Sequence, residues 1–301
     1  MIMEGNKMYD LMGRKEVLGW VKERVNVLKV VKEDRVMKKD VMGLRYYMVK
    51  EEELGLDKLE VLLKDKGDVW NKKVRDWSWS IGKVEELGRE KWLERMILCV
   101  SLMFNFWEDR GYGVLKSESV WDWGKKGCNE NVLFGDVWNL KDVRYKIVKE
   151  VKRLLNDYKK KYGSLEEVCK SSNMFWGRLN WVWNLGREDV VGKKIVLVKM
   201  IMEDMGFKVY RGDEWGEGCV DYNVMVMLNY LGIKEIRGGV WNKKELDDIR
   251  VWVNGWCKKV CEVKGIDGSV LDGVLFMCGR QLRSELGNND LVPMVLGEIN
   301  Y

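Results

Sequence analysis

The chain lacks alanine, threonine and histidine altogether, and has a single proline (Pro293) and a single glutamine (Gln281). All five residue types need cytosine at the first or second codon position, so the coding strand is depleted in that base. Valine then stands where alanine or threonine would be expected, and a valine inside a helix carries little weight as a strand signal. With no histidine and no Cys-x-x-Cys spacing, the sequence argues against a zinc site. The seven cysteines (Cys99, Cys128, Cys169, Cys219, Cys257, Cys261 and Cys278) are odd in number and scattered, unlike a secreted disulfide framework. They read as reduced thiols, and Cys257 and Cys261 as neighbours on one helix face. Long apolar runs are also missing. Stretches such as Met96 to Val100 fall far short of the roughly 20 residues that cross a bilayer, and Met1 to Gly13 shows no secretory pattern. The expectation is an intracellular protein, cytosolic or nuclear, that needs no membrane, metal or cofactor.

What is present suits a globular fold. The chain has 301 residues, 46% of them hydrophobic, enough for a substantial core. Its formal charge of +5 permits a polyanionic partner without requiring one. Apolar residues recur at three- and four-residue steps over Lys15 to Val36, Leu54 to Leu63, Trp92 to Phe106, Val143 to Tyr158, Val190 to Met205, Val224 to Leu231, Leu246 to Val263 and Val270 to Leu282, and this spacing predicts amphipathic helices. Strand alternation is scarce. Asn242 followed by Glu245 fits a helix-opening capping box, and Gly163-Ser164-Leu165-Glu166-Glu167 reads as a break before a short helix. Ser78 to Gly88 and Arg110 to Asp136 read as connectors. The aromatic cluster Trp176, Trp181 and Trp183 reads first as core packing.

The segment richest in chemistry is Val190 to Gly232. Val190-Val191-Gly192-Lys193-Lys194-Ile195 has a glycine that lets a hairpin close and present backbone N–H groups to a phosphate at a helix start. Further on, Val220-Asp221-Tyr222-Asn223-Val224 opens another helix. Asp221 there reads either as an N-cap or as a working carboxylate at the edge of a cleft.

These stretches resemble the helix-hairpin-helix DNA glycosylase superfamily, whose hairpin ends in Gly-x-Lys and is followed by Val-Asp-x-x-Val and a later glycine, here Gly232. The run Lys194-Ile195-Val196-Leu197-Val198-Lys199-Met200 followed by Val220-Asp221-Tyr222 is most similar to the archaeal 8-oxoguanine glycosylases. The resemblance implies that Asp221 stabilises the positive charge on the sugar as the base departs. It also implies that Lys194, or Lys193 if the register slips, attacks the anomeric carbon in a β-lyase step, and that Gly192 and Lys193 contact DNA. Such a lysine needs a pKa lowered by burial. Val190 stands where the family hairpin carries its first glycine.

A second set of residues, Phe104-Asn105-Phe106-Trp107, Asp221-Tyr222-Asn223-Val224 and Leu231-Gly232-Ile233, resembles the related queuosine salvage nucleosidases, although Met225 and Val226 replace that family's Pro-Gln. This likeness implies a small nucleoside or nucleotide as substrate. A catalytically inactive helical nucleic-acid-binding protein is the third reading. The expected architecture is all-α, with two helical lobes, a helix-hairpin-helix element and a cleft between the lobes. The expected divisions are 1–89, packing with the C-terminal lobe; 90–206, a barrel-like domain ending in the hairpin; and 207–301, the C-terminal lobe carrying Asp221.

Overall fold

The computed structural model describes residues 55–57, 59, 60, 63, 81–103, 117–129, 141–184, 189–210, 218–236, 239–286 and 293–294. The expected helix Lys15 to Val36 and the Phe104 to Trp107 segment lie outside them. Within the described residues the fold is all-α. Its helices are α1 (Val84–Leu87), α2 (Arg89–Ser101), α3 (Ser117–Lys125), α4 (Lys141–Tyr162), α5 (Leu165–Ser171), α6 (Asn173–Trp183), α7 (Lys193–Asp204), α8 (Tyr222–Tyr230), α9 (Lys243–Lys264) and α10 (Gly268–Leu286). The strands β1 (Gly239–Val240) and β2 (Pro293–Met294) form a two-residue parallel pair. No helix among the described residues is long and apolar enough to cross a membrane.

Local signals set the helix boundaries. Ser164 caps α5 by accepting from the Glu167 amide at 3.2 Å, Ser172 caps α6 through Phe175 N–H, and Asn242 caps α9 through Glu245 N–H at 2.9 Å. Each satisfies an amide that the first helical turn leaves open. The structure differs from the sequence reading where periodicity was weak. Both expected connectors contain a helix, α1 and α3, and α3 buries Val120, Trp121 and Trp123. The expected helix from Val190 starts only at Lys193, because residues 189–192 form a turn. Helix α6 occupies the aromatic stretch.

Two clusters of buried side chains organise the molecule. One spans α1 to α7 and contains Trp92, Trp123, Trp176 and Trp183. Their indole N–H groups are largely satisfied: Trp123 donates to the Asn129 carbonyl (2.8 Å), Trp176 to the Cys169 carbonyl (3.1 Å) and Trp183 to Ser101 Oγ (2.6 Å). In these three a large ring stays buried without an orphaned donor, whereas the buried Trp92 Nε1 has no hydrogen-bond partner among the described residues. The second cluster joins Leu59 and Val191 to residues of α8, α9 and α10, including Val224, Leu228, Trp256 and Leu275. Helix α8 is apolar nearly all round, as a buried helix must be, and it lies close against α10. A Cβ built on Gly279 would overlap the Asn223 carbonyl oxygen, so only glycine permits this approach.

The two clusters meet at the start of α7. Val191 belongs to the second, whereas Ile195, Val198 and Ile201 belong to the first. Successive helical residues diverge by about 100°, so Lys193 and Lys194 leave this seam in different directions.

Candidate active site

The turn before α7 is held by Asp189. Gly192 adopts the left-handed conformation (φ 55°, ψ 39°) as the N-cap residue of α7, and its N–H donates to the Asp189 carbonyl at 3.0 Å. The Asp189 carboxylate accepts from Val191 N–H at 3.3 Å and Lys193 N–H at 2.9 Å. Arg250, from α9, donates to the same carboxylate at 2.9 Å in a pair whose side chains are 4% and 10% exposed. Burial pushes the Asp189 pKa up, but Arg250 and the two amides outweigh it and hold the carboxyl below its ordinary value. The amides that the sequence assigned to a phosphate are therefore engaged by an internal carboxylate.

Asp221 caps α8. Its Oδ1 accepts from Asn223 N–H (2.8 Å) and Val224 N–H (3.0 Å), which fixes the carboxylate in one orientation. Its Oδ2 takes a long contact from Asn223 Nδ2 (3.4 Å) and lies 3.8 Å from Lys193 Nζ. That ammonium also sits 5.8 Å from the centre of the Tyr222 ring. Burial pulls the Lys193 pKa down, yet Asp221, with Cys219 and Tyr222, reverses this and raises it, so Lys193 is a cation at neutral pH. Cys219 ties the ensemble together: its thiol donates to the Lys193 carbonyl (3.2 Å), and its N–H donates to Asp272 Oδ1 (2.6 Å). Burial, reinforced by Asp221, pushes the Asp272 pKa well above the carboxylate range.

No family model matches the chain, and no curated protein matches its sequence. The site geometry alone thus bears on function.

Of the residues singled out in the sequence, the structure brings Lys193 and Asp221 together, with Gly192 one residue away. Lys194 is buried on the other side of the seam, with its pKa lowered to about 7 by burial first, then by Lys193 and Arg144, against an opposing pull from Asp189. Asp189, Arg250, Asn254 and Asp272 escaped the sequence reading. Arg250 and Asn254 left a legible signal, because they interrupt the inward stripe Leu246, Arg250, Asn254, Cys257 and Cys261, where a core-facing helix should be apolar. Asp189 and Asp272 carry no such mark. Among the described residues no group of three or more Cys, Asp or Glu side chains is arranged to hold a metal ion.

Proposed function

We propose that the chain cleaves an N-glycosidic bond, with DNA carrying a damaged base such as 8-oxoguanine as substrate. The observation that carries this reading is the pair formed by buried Asp221 and half-buried Lys193, in which the carboxylate is locked by two amides of α8 while its second oxygen is turned towards the ammonium. Departure of a base leaves positive charge on the sugar. A carboxylate held in place beforehand stabilises that charge without reorganising during the reaction. In this reading the sugar lies in a cleft beside Asp221, between lobes built on the two buried clusters, and the base is flipped out of the duplex to reach it.

A lyase step divides the two lysines. Lys193 lies beside the carboxylate but is held charged, whereas Lys194, with a pKa near 7, has the larger share of neutral amine that attack on the anomeric carbon requires. Oligonucleotides carrying 8-oxoguanine or uracil, incubated with and without borohydride, test the proposal. Base release abolished by Asp221→Asn is expected, and asparagine keeps the helix cap, so loss of folding does not intrude. If an adduct is trapped, Lys193→Gln and Lys194→Gln identify the amine. Neither cleavage nor adduct on any lesion sinks the reading.

One observation favours a small nucleoside instead: Asp189 fills the amides with which a hairpin would grip a DNA phosphate. This second reading expects Asp221-dependent release of queuine from queuosine or its monophosphate. The inactive nucleic-acid-binding reading expects Asp221→Asn to leave function intact, while charge reversal at Lys193 and Lys194 abolishes binding.

A further inference from the structure

The chain's positive charge is gathered on one element. Of 53 Lys and Arg and 48 Asp and Glu, α4 holds nine and three, so the rest of the chain carries 44 against 45 and is close to neutral. The apolar side of α4, with Ile147, Val148, Val151 and Leu155, is buried in the first cluster, which leaves its polar side to solvent. On that side Lys149 and Lys160 are exposed and Lys146 partly so. At 100° per residue the three leave the helix within about 60° of one another, along ~21 Å of its axis. None of them forms an ion pair among the described residues. The acids Glu150 and Asp157 on this side are both taken by Arg153, at 2.9 and 3.3 Å, so neither is paired with these lysines. Lys152 flanks the row, and its Nζ donates to the Cys128 carbonyl at 3.4 Å, which sets exposed Lys126 at the end of α3 beside it.

The helix dipole favours cations only in the last turn, so it accounts for Lys159 to Lys161 but not for Lys146 and Lys149. Lysines that served solubility alone would have no cause to gather on one helix while the remainder stays neutral. The chemistry of the face narrows the partner. No large hydrophobic side chain of α4 is exposed, so the face has nothing to insert into a bilayer, no aromatic platform for stacking single-stranded bases and no apolar anchor of the kind that centres a protein interface. A phosphate backbone asks only for spaced cations, and ~21 Å of duplex carries about 12 phosphates. We propose that the exposed side of α4 is a docking surface for the phosphate backbone of duplex DNA, indifferent to base sequence and sharing no residue with the Asp221 site. DNA rather than RNA is taken from the N-glycosidase reading, whereas the charge pattern is independent of it. This surface supplies the phosphate grip that the turn before α7, filled by Asp189, does not.

Fluorescence anisotropy with the full chain and a labelled, undamaged DNA duplex of ~20 bp, over ~50 to 200 mM salt, tests it. The parent is compared with Lys146→Gln/Lys149→Gln/Lys160→Gln and with Lys83→Gln/Lys208→Gln/Lys244→Gln, which removes the same charge from exposed positions off this helix. Glutamine is a good helix former, so α4 persists in the first variant. The parent's affinity is expected to fall with salt. The α4 variant should bind ~10-fold or more weakly at ~100 mM salt, with a log–log salt slope shallower by ~2.7, about 0.9 for each lost contact, and the second variant should stay within ~3-fold of the parent. Equal losses in the two variants, a salt-independent affinity, tighter binding to a single strand or an RNA duplex, or binding to phosphatidylserine vesicles but not to DNA overturns the proposal. The two readings fail separately, because the probe carries no lesion. DNA binding that depends on α4, without base release from any lesion, removes the glycosidase and leaves this surface; base release with unchanged KM in the α4 variant does the reverse.

Discussion

Replacing Arg250 with methionine removes the cation that faces Asp189 while leaving the helix backbone and much of the side-chain volume in place. The two side chains are 4% and 10% exposed, so Asp189 would be left as a buried carboxylate supported only by the Val191 and Lys193 amides. Breaking one half of a buried ion pair costs about 3–5 kcal/mol, and the two remaining amide bonds put the expected loss near ~3 kcal/mol. Equilibrium urea unfolding at pH 7, followed by tryptophan fluorescence, measures it. The pH dependence gives a second check. In the parent the Asp189 pKa is depressed, so its contribution is present above the unfolded value of about 3.9 and is lost only as pH falls through the lower folded value. In Arg250→Met the burial that raises this pKa is no longer outweighed, so the folded variant takes up a proton earlier and the gap between the two proteins narrows as pH falls towards ~4. The double variant Asp189→Asn/Arg250→Met should recover much of the loss. A cost under ~1 kcal/mol at pH 7, the size of an exposed pair, or a gap that widens on acidification, would refute the reasoning.

Two further outcomes follow from other buried charges. Lys194 has a folded pKa of about 7 against an unfolded value near ~10.4, so the unfolded chain binds the extra proton between these limits and the parent gains stability from this group as pH rises through them. Lys194→Met should therefore be the more stable protein at pH 7, with the advantage closing by pH ~10; thermal melts from pH 6 to 10 check it, and a less stable variant at pH 7 counts against the assignment. For Asp272, whose folded pKa is raised, the contribution is complete below the unfolded value near ~3.9 and drains away as pH rises towards the folded value. Asp272→Asn stays neutral and keeps an acceptor for Cys219 N–H, so its urea midpoint relative to the parent should climb as pH rises above the unfolded value near ~3.9; a relative midpoint that falls with rising pH defeats the argument.

The helical character was legible because heptad-like spacing survives when alanine is replaced by valine: Val224 to Leu228 and Leu246 to Val260 sit in the core that their periodicity implies. Capping was legible too, since Asn242 and Ser164 act locally and need no tertiary partner. The first turn of α7 was harder to read. Val190 and Val191 look like a continuation of the apolar pattern, yet Asp189 wraps back on the Val191 and Lys193 amides and makes a turn that depends on Arg250, 61 residues away. Periodicity carries no record of such a distant cation. The division of labour between Lys193 and Lys194 was equally hidden, for two adjacent lysines look identical until the packing on each side of the helix is known. Asp272 carries no pattern at all, because its raised pKa is imposed by burial and by Asp221.

The contact between Gly279 and the Asn223 backbone bears on how the site could adjust to an occupant. Helix α8 is seated on α10 with no room for a methyl group between them, and Asp221 is bound to the second and third amides of that helix. The carboxylate is therefore a fixed reference point, registered to the deepest packing in its half of the protein. Lys193 is mounted differently, on a flexible side chain at the seam between two cores. Under the proposed N-glycosidase reading, accommodation of a ligand falls to the lysine, and Asp221 sets the coordinate to which the reacting sugar would come.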